Sequence, residues 1–284
     1  MRILSVLKSS PLYAMLRSLK HKAHRLLKGP KGRKLTINET REILEADLGL
    51  CAGDSVLIHC GFGYLNAEYS PDELIILLKD IVGPTGNILM PFYPPGLSMD
   101  WAKSGRAFKC QSVKGSTGIL SQAFSRCEGV RISAHPIKSL IAWGANADDL
   151  VSEHHHSIYP FDMASPYCKL ACITGSKSIG LGVKNCAMVH CAEDLYEERK
   201  EYLYAAQTFE LKFSNQNQNL NIKTFVHRHD LSATTIPVSE FISNTARDIL
   251  IEHYHGCIYF YSVSNEDLMV RCRELFSSDV SRKQ

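Results

Sequence analysis

The chain reads as a three-layer α/β/α domain preceded by a separate basic arm. Three observations carry that reading. Short apolar runs of strand length alternate with longer stretches whose apolar residues recur at helical spacing. Glycine, proline or capping residues punctuate the boundaries. Charge is divided along the chain: residues 1–34 hold ten Lys/Arg and no Asp or Glu, leaving 22 basic against 29 acidic side chains, a net of −7, in the rest. The chain has 284 residues, is 45% hydrophobic and carries a formal net charge of +3. That is enough apolar content for one large or two small domains with a core.

In the arm, Leu12, Met15, Leu16, Leu19, Ala23, Leu26 and Leu27 fall at helical spacing among Lys and Arg, closed by Gly29-Pro30-Lys31-Gly32. This is a basic amphipathic helix. It either adsorbs to an anionic membrane surface or docks on its own domain or on a second subunit. Nothing resembles the cleavage site of a transit peptide.

The folded domain spans residues 35–278, and 279–284 form a polar tail. Residues 36–49 are a capped amphipathic helix ending at Gly49. A short buried strand follows over 55–59 and runs into the loop Cys60-Gly61-Phe62-Gly63. Residues 72–82 form a helix with Leu74, Ile75, Leu77, Leu78, Ile81 and Val82 on its apolar face, and 88–90 the next strand. The stretch 91–114 is long, irregular and rich in Pro and aromatics, as functional loops often are. A short helix over 118–125 precedes a turn at His135-Pro136 and a strand ending at Gly144. Helix restarts at Ser165-Pro166, with Pro in the first turn. The apolar run 170–181 reads as a buried strand, followed by helix to Arg199. Residues 208–213 and 223–226 are strands joined by a polar Asn/Gln loop. Residues 238–254 read as helical at their core, 258–262 as strand and 265–276 as helix.

The ten cysteines are scattered, mostly inside apolar runs, and no signal peptide is evident. Reduced thiols in the cytoplasm follow. No CxxC occurs, so a zinc ribbon is not expected, and no apolar stretch is long enough to cross a bilayer. The acidic body suits a cationic ligand such as an amine and argues against nucleic acid.

The chemistry concentrates at Asn185-Cys186-Ala187-Met188-Val189-His190-Cys191-Ala192-Glu193. A helix starting near Ala187 places His190 and Glu193 at i and i+3 on one face. A histidine paired with a carboxylate is a workable general base near neutral pH. The strand-loop-helix junction is where open α/β sheets place ligands. The run His154-His155-His156 could tempt a metal reading, but consecutive residues cannot all face one ion, and no metal is expected.

Several stretches together resemble the aminoglycoside N3-acetyltransferase family. Gly53-Asp54-Ser55-Val56-Leu57-Ile58-His59-Cys60 is similar to its G-D, apolar strand and V-H-[SA]-S. Val82-Gly83-Pro84-Thr85-Gly86 through Met90-Pro91 is similar to V-G-P-x-G-T-L-V-M-P. Gly118-Ile119-Leu120 resembles G-x-L. Arg131 to Gly144, with His135-Pro136 and Ser139, resembles R-S-x-H-P-x-x-S-x-x-A-x-G. His155 with Ser165-Pro166, and Val189-His190-Cys191-Ala192-Glu193, resemble the later H, S-P and L-H-x-A-E. The pieces run in order from about residue 36 to 276. This chain departs from the pattern at Gly61, at Ala187 in place of a threonine, and at Lys138 in place of a second histidine.

The resemblance implies the antibiotic N-acetyltransferase fold and direct acyl transfer from acetyl-CoA, as co-substrate, to a primary amine of an amino sugar. Aminoglycosides, and hence antibiotic resistance, are the family's association; the arm resembles that of members encoded with surface-polysaccharide pathways. His190 is expected as base, oriented by Glu193. His59, Cys60, Gly61, Gly118 and Ser139 are expected around the coenzyme, with backbone amides after His59 facing the developing oxyanion and Gly118 near a phosphate. His155, Asp194 and Glu197 are expected around the amine. Cys60 or Cys191 as an acyl-carrying nucleophile is a rival. A non-catalytic relative that binds CoA or an amino sugar is the alternative from another class. The sequence is compatible with a homo-oligomer.

Overall fold

The computed structural model describes residues 33–112, 115–216, 218–228 and 238–277. The expected helix over 12–27, nearly all of the 1–34 arm and the 279–284 tail lie outside the described residues.

Thr36 opens α1 (Ile37–Glu42) by accepting from the Glu39 amide while the Glu39 carboxylate returns to the Thr36 amide. This reciprocal cap satisfies two of the helix's orphan donors. The helix runs on through a π-helical turn, Ile43–Asp47. Then come β1 (Ser55–Cys60), α2 (Pro71–Val82), β2 (Asn87–Pro91), α3 (Ser98–Lys103), β3 (Phe108–Lys109) and α4 (Ile119–Phe124). The chain continues with β4 (Arg131–Ile132), β5 (Leu140–Gly144), α5 (Ala147–Val151), α6 (Pro166–Ala171), β6 (Lys177–Leu181) and α7 (Met188–Tyr196). It ends with β7 (Phe209–Ser214), β8 (Asn219–Thr224), α8 (Val238–Glu240), β9 (Leu250–His255), β10 (Ile258–Ser264) and α9 (Asn265–Ser277).

A seven-stranded mixed sheet has the order β4-β5-β2-β1-β6-β10-β9, and β1 is parallel to both β2 and β6. Successive strand side chains point to opposite faces, and this divides the core in two. Val56, Ile58, Ile88, Met90, Ile179 and Leu181 face a layer that includes Leu44, Leu74, Leu78, Leu120 and Phe124. Leu57, Leu89, Leu140, Tyr259 and Tyr261 face the layer of Leu170, Met188, Val189 and Leu268. The result is the expected three-layer sandwich. Each fully buried Leu or Ile contributes about 1.5–3 kcal/mol by leaving water.

Several sequence expectations need correction. The stretch 91–114 is not wholly irregular: it contains α3 and β3, and Trp101 and Phe108 pack edge to face with ring centroids 6.2 Å apart. Six- and two-residue elements are too short to show a period. Strand β6 begins only at Lys177, because Leu170 and Ala171 finish α6. Helix α7 stops at Tyr196 rather than Arg199; the Lys200 ammonium closes it by donating to the carbonyls of Glu193 and Asp194 at 3.1 and 2.5 Å. Residues 250–255 are strand β9, not helix, paired antiparallel with β10. As the edge strand it lacks a deeply buried face, so its sequence does not alternate in hydrophobicity. Strands β3, β7 and β8 form a second, three-stranded sheet that the sequence did not announce as a unit.

Candidate functional site

Parallel strands β1 and β6 end side by side, with Cys60 opposite Leu181. The chain leaves β6 through Gly182 and a short loop into α7. Gly180 makes this possible: a Cβ there would fall 1.9 Å from the Tyr261 ring and 2.7 Å from the Val183 carbonyl. With that space clear, Tyr261 lies across the strand and its hydroxyl donates to the Asn185 carbonyl. No side chain of its own caps α7. Instead the Ala187 amide donates to His59 Nε2 at 2.9 Å, so the end of β1 holds the start of the helix.

One turn on, His190 Nδ1 lies 2.6 Å from Glu193 Oε2. The Glu193 side chain is buried, at 1% exposure, while His190 is 34% exposed. The carboxylate therefore fixes Nδ1 as the protonated nitrogen and leaves Nε2 as the basic one. Among the described residues Nε2 has no hydrogen-bond partner. The rings of Phe161 and His227 pack on the imidazole, with centroids 5.4 and 5.9 Å away. A cavity of about 380 Å³ opens at these strand ends, lined among others by His59, Cys60, Thr117, Lys138, Ala187 and His190. A larger cavity of about 690 Å³ lies near the end of α4 and β4 and contains none of the expected site residues.

His59 and Cys60 thus reach the cavity. His59 is pushed down to about 3, first by burial and then by His190, and stays neutral. Burial drives the Cys60 thiol upward, and Cys191, fully buried in the core, is raised by its hydrogen bond with Cys168 and by burial. A thiol held protonated is a poor nucleophile, which weakens the acyl-cysteine rival.

Other expected positions make contacts within the protein. The Gly61 amide donates to the Leu181 carbonyl at 2.9 Å, so it is not available to an oxyanion. A Cβ on Gly61 would sit 2.6 Å from Val183 and 2.7 Å from Tyr64; its smallness serves chain packing. Gly118 starts α4 at φ 103 and lies against the Cys60 carbonyl, but its six-residue helix offers little dipole to a phosphate. Ser139 is fully buried and its hydroxyl donates to the His135 carbonyl at 2.5 Å. His135 is equally buried, with Nδ1 accepting from the Lys138 amide at 3.1 Å. Both complete the turn between His135 and Ser139.

Of the three consecutive histidines, His154 enters the core, bonded to Ser133 Oγ and the Pro160 carbonyl. His155 does not line the cavity; its ring packs on His156 at 3.8 Å. Asp194 is buried, accepts from the Phe161 amide at 2.8 Å and from the Tyr204 hydroxyl, and is raised to about 7 chiefly by burial. Glu197 is bonded to the Arg199 amide at 2.9 Å. These carboxylates are committed to the protein's own groups. Among the described residues, no cluster of three metal-ligating side chains occurs.

Sequence reasoning missed two groups at the site. Lys138 lines the cavity, and His227 meets His190 edge to face. Lys138 stood out only as a departure from a pattern; His227 sits in no motif and arrives through the second sheet.

The fold and site together define a three-layer α/β/α protein with a histidine-carboxylate pair at the carboxyl ends of parallel strands. The chain belongs to the aminoglycoside 3-N-acetyltransferase family, whose model matches residues 57–252. It is similar to aminoglycoside N(3)-acetyltransferase IX of Micromonospora chalcea, at 27% identity over 172 residues, covering 55% of this chain and 61% of that protein. The chain thus matches somewhat less than two thirds of that curated relative. The fold is shared with the crystal structure of aminoglycoside acetyltransferase AAC(3)-Xa, at 22% identity, TM-score 0.69, and 87% and 93% coverage of the two chains. It is shared also with AAC-IIIb in binary complex with CoASH, at 20% identity, TM-score 0.71, and 86% and 97% coverage. AAC(3)-IVa in complex with a gentamicin matches at 19% identity, TM-score 0.69, and 88% and 91% coverage.

Proposed function

We propose that the protein is an acetyl-CoA-dependent N-acetyltransferase acting on a primary amine of an amino sugar. The observation that carries this is the His190–Glu193 pair, pre-formed at 2.6 Å with its basic nitrogen at a cavity. His190 Nε2 takes the proton from the attacking amine as its nitrogen bonds to the thioester carbon; the carbon–sulfur bond then breaks and the thiolate leaves. Glu193 holds the tautomer and stabilises the imidazolium that forms. Thr117 Oγ1 is buried there with no partner among the described residues. It fits an amide of the pantetheine arm, with Cys60 alongside. Family membership and the likeness to a structure holding CoASH support the same reading. A non-catalytic binder would have no use for so well ordered a pair.

The test is thiol release from acetyl-CoA across a panel of amino sugars and aminoglycosides, with His190→Ala as control. No thiol release with any amine would refute the reading. Residues 1–34 are proposed as a separable contact with anionic membrane on the cytoplasmic side, supported by ten basic and no acidic residues. Among the described residues no helix is long and apolar enough to cross a membrane. Full-length protein that ignores anionic vesicles at low ionic strength would remove the arm's role.

A further inference from the structure

The body of the protein is acidic, yet the described lining of the cavity is not. Among the described residues lining it there is no Asp or Glu. Its polar lining is one lysine, two imidazoles, Tyr93, Asn185 and the hydroxyls of Ser116, Thr117 and Ser121. The carboxylate bonded to a cavity group, Glu193, stands behind His190 and is occupied by it. Asp194 acts on Lys138 through space, but its oxygens are held by the Phe161 amide and the Tyr204 hydroxyl.

Lys138 is not a loose surface lysine. Its backbone amide is fixed to His135 Nδ1, and its ammonium sits 4.4 Å over the Tyr93 ring. The Tyr93 hydroxyl is in turn bonded to Tyr167 at 2.9 Å. Among the described residues Lys138 forms no ion pair. Burial pulls it down to about 8, against the opposing attraction of Asp194, so it remains mostly charged at neutral pH. A fixed cation in a cavity whose described lining holds no carboxylate repels a second cation and gains from an anion.

We propose that Lys138 sets acceptor specificity by reading a negative charge, so that the preferred amine is on an amino sugar carrying a phosphate or carboxylate rather than on a polycationic aminoglycoside. This rests on the acyltransferase reading and narrows its acceptor. The acidic exterior has little weight in this choice, because charges separated from the ligand by solvent are screened while those facing a confined ligand are not.

The experiment compares full-length wild type with Lys138→Gln and Lys138→Glu. The acceptors are glucosamine, glucosamine 6-phosphate and kanamycin, with acetyl-CoA or succinyl-CoA as donor. Thiol release gives kcat/KM, and calorimetry gives binding of each acceptor without turnover. Wild type should favour the phosphorylated sugar over the neutral one by roughly 10- to 100-fold, the scale of one hydrogen bond to a charged group. Lys138→Gln should erase that ratio, mostly through KM, and Lys138→Glu should shift preference toward kanamycin. Equal use of all three acceptors by wild type, or ratios unmoved in both variants, would overturn the proposal. A charge preference that follows succinyl-CoA and ignores the acceptor would also overturn it, by placing the anion on the acyl chain. If no amine is acetylated, the acyltransferase reading fails, and calorimetry still decides this one: Lys138-dependent binding of the phosphorylated sugar supports it, and its absence refutes it.

Discussion

Two pairs of histidines in this molecule look alike in sequence and differ in everything that matters for chemistry. His135 and His154 stack at 4.5 Å, are fully buried, and spend their ring nitrogens on the protein. His59 and His190 stand at the ends of the central strands. His59 spends Nε2 on the Ala187 amide, and His190 spends Nδ1 on Glu193, which leaves one basic nitrogen facing a cavity. The first pair is spent inside the fold, and the second lines the candidate site. What separates them is an unspent nitrogen beside open space, which no residue count reveals.

The largest effect belongs to the pair at the site. His190→Ala should lower acetyl transfer by about 10²–10⁴, the usual share of a positioned general base, while calorimetry shows CoA binding unchanged. Glu193→Gln should cost about 10–10³ in kcat, because the amide no longer holds the imidazolium; a pH–rate profile shifted along with kcat would distinguish this from misfolding. On the other pair, His154→Leu should destabilise the fold by about 2–4 kcal/mol in urea melts, through two lost buried hydrogen bonds, with kcat per folded molecule preserved.

A smaller effect concerns pH. His59 and His154 are pushed down to about 3 from an ordinary 6.5, and His135 also falls well below it, all chiefly by burial. Each stays neutral in the folded state while the unfolded chain takes up a proton below 6.5. Their stabilisation is therefore complete above pH 6.5 and is lost as pH falls toward 3. Asp194, raised to about 7 from 3.8, works the other way, favouring the fold at the acid end. Three groups against one give a net loss on acidification. His154→Leu should flatten the slope of unfolding free energy against pH between 6.5 and 3 by about 1.4 kcal/mol per pH unit. An unchanged slope would contradict burial of a neutral His154. Smallest of all, Tyr261→Phe should cost about 0.5–1.5 kcal/mol by freeing the Asn185 carbonyl.

The sequence was most informative where period and caps agree. The α2 face was legible residue by residue, as were the Thr36 cap and the 3-residue spacing that joins His190 to Glu193. It was least informative where an element is short or at an edge: α3 and β3 have no room for a period, and β9 borrows its stability from β10. Motifs singled out His59, Cys60 and His190, which line one cavity, but could not say which polar groups are already satisfied. Ser139, His155, Asp194 and the Gly61 amide all carry plausible chemistry, and each is bonded or packed elsewhere. Satisfaction is a property of three-dimensional neighbours. Lys138 shows the converse, since only the cavity gives that substitution a meaning.

The most direct test is a paired measurement on two variants, His190→Ala and His154→Leu, of kcat for acetyl transfer per folded molecule and of unfolding free energy in urea. A double dissociation is expected: His190→Ala loses at least about a hundredfold in kcat with stability within about 1 kcal/mol of wild type, and His154→Leu does the reverse. Equal loss of kcat in both variants, or near-normal turnover by folded His190→Ala, would contradict it.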